Sequence, residues 1–265
     1  MPGLRGESGR DRQGTRLQKT GRKGDEKPLI IFPAIDLYEG KAVRLFRGDY
    51  QQMTVYSGHP EEIGKQFVSE GASHVHLVDL EGARDGTTPN LETVLRIKKE
   101  TGLFCEIGGG IRGMDTVRKY LDSGLDRVIL GTAAVRDPAF LEEALAAFGD
   151  RIAVGVDIRD GLVAVSGWME KSEIPFLDFC RRMAQNGVQT LICTDISRDG
   201  AMRGTNRELY SQLSREVNIR ITASGGVSTM EDVKALRRMN LYGAIIGKAW
   251  YTGAISLREA IREAT

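Results

Sequence analysis

Ile107-Gly108-Gly109-Gly110-Ile111-Arg112 closes a short apolar run with a glycine loop, and Ala223-Ser224-Gly225-Gly226-Val227 does the same 116 residues further on, Gly110 matching Gly226. The same offset relates Asp79 to Asp195, and Gly131 of Val128-Ile129-Leu130-Gly131-Thr132 to Gly247 of Ala244-Ile245-Ile246-Gly247-Lys248. A repeat of that length is half a domain, not a solenoid unit. Two halves built alike, each with glycine loops after apolar runs, can place two similar anion sites in one cavity.

Working outward from these loops, β-branched apolar runs alternate with segments of helical period from Leu29 onward, the pattern of βα units around a parallel sheet. Strands are expected at 30–35, 74–78, 104–107, 127–130, 152–156, 190–194, 220–222 and 243–246. Helices are expected at 61–70, 91–100, 114–123, 138–148, 175–185, 208–217, 229–239 and 256–263. Asp137-Pro138 supplies a cap before a first-turn proline, and Gly71, Gly124, Gly149 and Gly187 are placed as helix stops. Eight such units match a single (β/α)₈ TIM barrel of ~250 residues, with a two-fold internal half-barrel repeat. An open doubly wound sheet is the alternative, and the repeat favours closure.

In such a barrel the active site lies at the C-terminal ends of the strands. Asp36 follows the first strand and Asp157 the fifth, on opposite sides of the ring, so the pair can divide general base and general acid work. Either one alone reads equally well as a loop cap. Gly109 and Gly110 with Gly131-Thr132, and Gly225-Gly226 with Gly247-Lys248, form two copies of a glycine cradle whose backbone N–H groups can approach phosphate. Together they call for a ligand phosphorylated at both ends. Arg44 and Arg112 are candidates for phosphate contacts through the guanidinium fork. Trp168, expected on a long loop after the fifth strand, is a candidate for stacking on a flat heterocycle, against the commoner role of a tryptophan in the core. His76 is a pocket candidate, with a core position favoured.

Composition narrows the class. Hydrophobic residues make up 41% of 265 and charged residues 28%, as in ordinary globular chains. No apolar run reaches the ~18 residues of a membrane span. A net charge of +1 gives no reason to expect nucleic acid. Eight Lys/Arg against four acids lie in residues 1–27, so that tail carries about +4 and the rest about −3. Residues 1–28 are therefore expected to be a disordered basic extension, and 29–265 the barrel. An acid-containing tail fits a dispensable extension better than a transit peptide, and it lacks the apolar region of a signal peptide. Cys105, Cys180 and Cys193 are too few and scattered for a disulfide framework or a metal cluster, which points to a reduced cytoplasmic protein. No HExxH, CxxC pair or GxSxG elbow is present, which disfavours metal hydrolysis and serine acyl transfer.

Several of these stretches together resemble a known family. Phe32-Pro33-Ala34-Ile35-Asp36-Leu37, Glu39 to Leu45, His76-Leu77-Val78-Asp79-Leu80, Gly108 to Arg112, Thr194-Asp195-Ile196-Ser197-Arg198-Asp199-Gly200 and Ala223 to Val227 are similar to the phosphoribosylformimino-aminoimidazole carboxamide ribotide isomerases of histidine biosynthesis. The resemblance runs from about Leu29 to the C-terminus. It implies a (β/α)₈ barrel performing an Amadori rearrangement on a substrate with two phosphates, without cofactor or metal. It implies Asp36 as general base, Asp157 as general acid and Thr194 as an orienting group, with Asp199 and Lys248 among the substrate-binding residues. A monomer working on a small ribotide, with no nucleic acid or membrane partner, is expected. The cyclase barrel of the same pathway resembles the chain less, since its first-strand motif reads Cys-Leu-Asp and it lacks the Gly167-Trp168 segment. A bifunctional relative that also isomerises phosphoribosyl anthranilate carries arginine where Ser166 stands. A bisphosphate-binding barrel without catalysis would not require the pair Asp36 and Asp157.

Overall fold

The computed structural model describes residues 27–265 except Arg47 and Met169, so nearly all of the extension expected at 1–28 lies outside the described residues. The strands are β1 (Ile30–Tyr38), β2 (Lys41–Phe46), β3 (Asp49–Ser57), β4 (His74–Asp79), β5 (Phe104–Gly108), β6 (Arg127–Leu130), β7 (Ile152–Arg159), β8 (Leu162–Val165), β9 (Glu170–Pro175), β10 (Thr190–Asp195), β11 (Arg220–Ser224) and β12 (Gly243–Ile246). β1, β4, β5, β6, β7, β10, β11 and β12 form one parallel ring, closed by β12 on β1 and by β7 on β10. All eight expected strands are the strands of this ring. The expected helices are also present, each within a residue or two of its expected limits, and they pack around the outside.

Side-chain alternation sets what faces the barrel axis, because residues two apart on a strand share a face. Phe32 and Ala34 of β1, Ile129 of β6, Ala153 of β7, Ile192 of β10 and Ile245 of β12 form a separate apolar cluster inside the ring. Continuing that parity toward the C-terminal rim turns Asp36, Gly131, Asp157, Thr194 and Gly247 inward. Ile31, Ile35, Leu37, Val154 and Val156 have the opposite parity and belong to the larger core beneath the helices.

The remaining strands are two antiparallel excursions, β2–β3 after β1 and β8–β9 after β7. Each begins with a tight turn whose two central residues have positive φ: Glu39 (48°) with Gly40 (70°), and Asp160 (52°) with Gly161 (77°). That is the turn that matches the twist of a hairpin. Trp168 therefore sits at the β8–β9 turn, and the long irregular loop expected there is a hairpin. The sheet builds these hairpins on the two strands that carry Asp36 and Asp157.

The glycine loops are close-packed backbone. A Cβ at Gly110 would collide with the Gly82 carbonyl oxygen, and one at Gly226 would meet the Gly204 carbonyl. Gly102, at the end of the helix Leu91–Thr101, has nearly the same φ as Gly110 (65° against 68°) but open space around its α-carbon. Gly110→Ala is expected to lower unfolding free energy by about 3 kcal/mol or more, and Gly102→Ala by about 1 kcal/mol, the cost of left-handed backbone alone. Equal losses in denaturant titrations of the two variants would show that backbone contact at Gly110 is not the cause.

Candidate active site

Asp36 stands at the inner rim of β1, and Arg44 of the neighbouring β2 donates to its Oδ2 at 2.7 Å. Both side chains are largely covered, 14% and 15% exposed. From there the guanidinium lies across Gly247, where any Cβ would overlap it. Gly247 is thus needed to admit Arg44. Burial pulls the Arg44 pKa down, but the charges of Asp36 and Asp199 outweigh it and the net shift is upward.

Among the described residues, no such cation bonds Asp157 across the ring. Burial pushes its carboxyl up to about 6, against the opposing pull of the Trp168 indole N–H and the Thr194 hydroxyl, which hydrogen-bond to it; Asp199 adds to the rise. Asp199, in the loop after β10, is itself raised by burial in spite of Arg44. Among the described residues, the mouth thus gathers three carboxylates near the Arg44 guanidinium, which is bonded to Asp36.

Trp168 is half-buried, not core. It covers Gly48 of the β2–β3 turn, where a Cβ would come within 2.9 Å of the indole. Ser166, Gly167 and Trp168 have successive φ values of 58°, 63° and 72°, a strained run of the kind that persists where surroundings enforce it. The Ser166 N–H donates to Thr132 Oγ1 at 2.9 Å, and Arg136 donates to Ser166 Oγ and Glu170. Thr132, expected at a phosphate, thus also anchors the tryptophan turn.

The aspartates paired in the sequence hold loops. Asp79 accepts from Gly82 N–H and Asn90 Nδ2, both at 2.8 Å. Asp195 accepts from Ser197 N–H at 2.9 Å and Asn206 Nδ2 at 2.6 Å. Gly109 then packs on the Asp79 backbone and Gly225 on that of Asp195. Gly131 and Gly247 precede the short helices Thr132–Arg136 and Lys248–Tyr251, and no side chain caps either N-terminus among the described residues. Their first-turn N–H groups can therefore turn to an anion. Lys248 donates to the Gly200 carbonyl at 3.1 Å, tying the last loop to the one that bears Asp199.

Arg112 departs from expectation. It is exposed, and its guanidinium donates to the carbonyls of Ala83 and Arg84 at 3.3 Å, closing the C-terminal end of the helix Leu80–Asp85. A helix end with free carbonyls draws a cation there. His76 is on the axial face and not in the outer core: its Nδ1 lies 2.8 Å from Glu106 Oε1, and Glu106 Oε2 accepts from Arg127 at 3.1 Å. Sequence reading passed over Glu106 and Arg127, although charges within the apolar runs of β5 and β6 were the available signal.

The three cysteines are buried and unpaired. No helix among the described residues is long and apolar enough to cross a membrane.

A closed parallel barrel with carboxylates at opposite strand ends, ringed by glycine loops, has the architecture of the (β/α)₈ enzymes. The chain belongs to the histidine biosynthesis protein family, which matches residues 30–256. It is 52% identical over 238 residues to the 1-(5-phosphoribosyl)-5-((5-phosphoribosylamino)methylideneamino) imidazole-4-carboxamide isomerase of Lactococcus lactis subsp. lactis (strain IL1403), covering 89% of this chain and 100% of that protein. Proteins of the same name in Listeria welshimeri and Listeria monocytogenes (strain HCC23) are 47% and 46% identical, over 87% and 88% of this chain and 96% and 97% of their own lengths.

The raised Asp157 pKa has a consequence for stability. The folded protein holds this proton more tightly than the unfolded chain, whose aspartate titrates near 3.9. Stability from this group is therefore fully present below about pH 4 and is lost as pH rises through about 6. Between pH 4 and 7 the wild type is expected to lose about 2 kcal/mol relative to Asp157→Asn. Parallel stability curves for the two proteins would contradict the shift.

Proposed function

We propose that this chain catalyses the aminoaldose-to-aminoketose isomerisation named for its relatives, on a ribotide with two phosphoribosyl groups. The observation that carries the reading is the unequal setting of the two rim aspartates: Asp36 bonded to Arg44, and Asp157 bonded to no cation among the described residues and raised by burial to about 6. One is prepared to accept a proton and the other to give one.

Asp157, as the acid, protonates the ribose ring oxygen while the bond from that oxygen to C1 breaks, giving a Schiff base with the substrate's own nitrogen. Asp36, as the base, removes the proton from C2, and the electron pair moves into the C1–C2 bond to form an enolamine. That proton returns at C1 as the C2 hydroxyl becomes a ketone, and the hydroxyl proton restores Asp157. C1 is reduced and C2 oxidised within one molecule, so the step balances without an external electron carrier. The substrate nitrogen serves as electron sink. Thr194 orients the Asp157 carboxyl, and Trp168, on the same carboxyl, shields the mouth and offers a stacking face.

The phosphates are assigned to the loops of Gly109, Gly110, Gly131 and Thr132 on one side, and of Gly225, Gly226, Gly247 and Lys248 on the other. The paired anchors Asp79 with Asn90 and Asp195 with Asn206 support that two-site reading. Arg44, lying against Gly247 and bonded to Asp36, would join the second phosphate to the base. Arg112 supports its loop instead of binding phosphate. All of these residues come from one chain, which supports a monomer as the working unit, and a biosynthetic role of this kind fits the cytoplasm.

Asp36→Asn and Asp157→Asn are each expected to lower kcat by roughly 10²-fold or more, the scale of acid–base groups, while leaving the fold and ligand affinity largely intact. Near wild-type turnover in either would remove that residue from its role. Supplying the aminoaldose ribotide and phosphoribosyl anthranilate in parallel assays is expected to give turnover of the first alone, because Ser166 stands where the bifunctional relative has arginine. Comparable turnover of both would replace this reading with the bifunctional one.

A further inference from the structure

Inside the ring, below the rim, three ionisable side chains lie side by side in register. His76 pairs with Glu106 across β4 and β5, and Glu106 with Arg127 across β5 and β6. Glu106 is fully buried and Arg127 is 3% exposed. The surrounding interior is apolar, with Phe32, Ala34, Ile129 and Ile192 among its members. Arg127 is further packed against the rings of Phe104, 5.0 Å from its centroid, and Tyr242.

A buried ion pair is a poor source of stability, since apolar side chains of similar volume serve as well or better. This pair has a directional consequence, however. Arg127 donates to Glu106 Oε2 at 3.1 Å, the geometry of a guanidinium on a carboxylate, which can only accept hydrogen bonds. The atom 2.8 Å from its second oxygen, His76 Nδ1, must then carry a proton. That leaves Nε2 as the edge not engaged by Glu106. The ring is near enough to the reacting rim for its charge to lower the pKa of both Asp157 and Asp199.

We propose that Glu106, held by Arg127, is a positioning residue of the isomerase: it fixes the His76 ring with Nδ1 protonated, so that Nε2 is presented toward the carboxylates of the mouth. The inference rests on the isomerase reading above. It assigns the chain Arg127–Glu106–His76 the part of an orienting shell behind the acid, with His76 the member that reaches the site. Fixing a tautomer matters because only one places the correct ring nitrogen, with or without its proton, toward the site.

The test combines ¹⁵N NMR of the His76 ring with kinetics on the aminoaldose ribotide. In the wild type, Nδ1 is expected to be protonated at pH 8. Glu106→Gln is expected to lower the melting temperature by roughly 5–15 °C, because it leaves Arg127 buried without its counter-charge. It should also lower kcat about tenfold or more while KM stays within about threefold. The double variant Glu106→Gln/Arg127→Gln removes both charges. It is expected to regain most of the melting temperature but not kcat, with the His76 proton moved to Nε2. An unprotonated Nδ1 in the wild type overturns the proposal, as does a double variant with wild-type kcat or a loss confined to KM. The NMR result does not depend on turnover, so a wild type inactive on the ribotide would sink the isomerase reading while leaving the tautomer to be read separately.

Discussion

The bond between Arg44 and Asp36 sets the chemistry of the whole mouth. Among the described residues, three carboxylates, Asp36, Asp157 and Asp199, share this rim with the Arg44 guanidinium, and at a few ångströms such charges interact by several kcal/mol when partly shielded from water. With Arg44 on Asp36 at 2.7 Å, Asp157 is left to burial, and burial raises its carboxyl to about 6. Under the proposed function, two like residues acquire opposite duties from one placement. The placement depends in turn on the β2–β3 hairpin that carries Arg44 and on the missing side chain at Gly247.

In the proposed function, binding and chemistry draw on different sequence offsets within the barrel. The loop anchors Asp79 and Asp195, their partners Asn90 and Asn206, and the close-packed glycines Gly109 and Gly225 all lie 116 residues apart. Asp36 and Asp157, and the hairpin turns Glu39-Gly40 and Asp160-Gly161, lie 121 apart. The hairpins grow from matching strands yet deliver unlike side chains, an arginine to Asp36 and a tryptophan to Asp157. Similar scaffolding on the two sides can suit a ligand with similar ends, and the unlike hairpins supply the asymmetry that acid–base transfer needs.

Much of this was legible in the sequence. The eight ring strands were readable because each is a short apolar run with a polar or glycine residue at its C-terminal end, and Asp36 and Asp157 were picked out as the residues that follow the first and fifth of them. The hairpins were not read, although Asp160-Gly161 is a strong local signal for a two-residue turn. The polar, exposed residues of β3, such as Gln51 and Gln52, hide a strand whose stability comes from pairing with β2 and not from burial. The side-chain bonds of Arg112 and Thr132 were beyond sequence reading, because their partners, Ala83, Arg84 and Ser166, meet them only through the closure of the barrel. Glu106 and Arg127 were visible as charges in apolar strands, but their joint meaning depends on the lateral register of β4, β5 and β6.

The central claim, that Arg44 bonds Asp36 while burial raises the Asp157 carboxyl, is tested most directly by ¹³C carboxyl NMR titration of the ligand-free protein, with Asp157→Asn used for assignment. The account predicts one aspartate carboxyl titrating near 6 that disappears in the variant. It is contradicted if the Asp157 carboxyl titrates at or below about 4, the ordinary range for an aspartate.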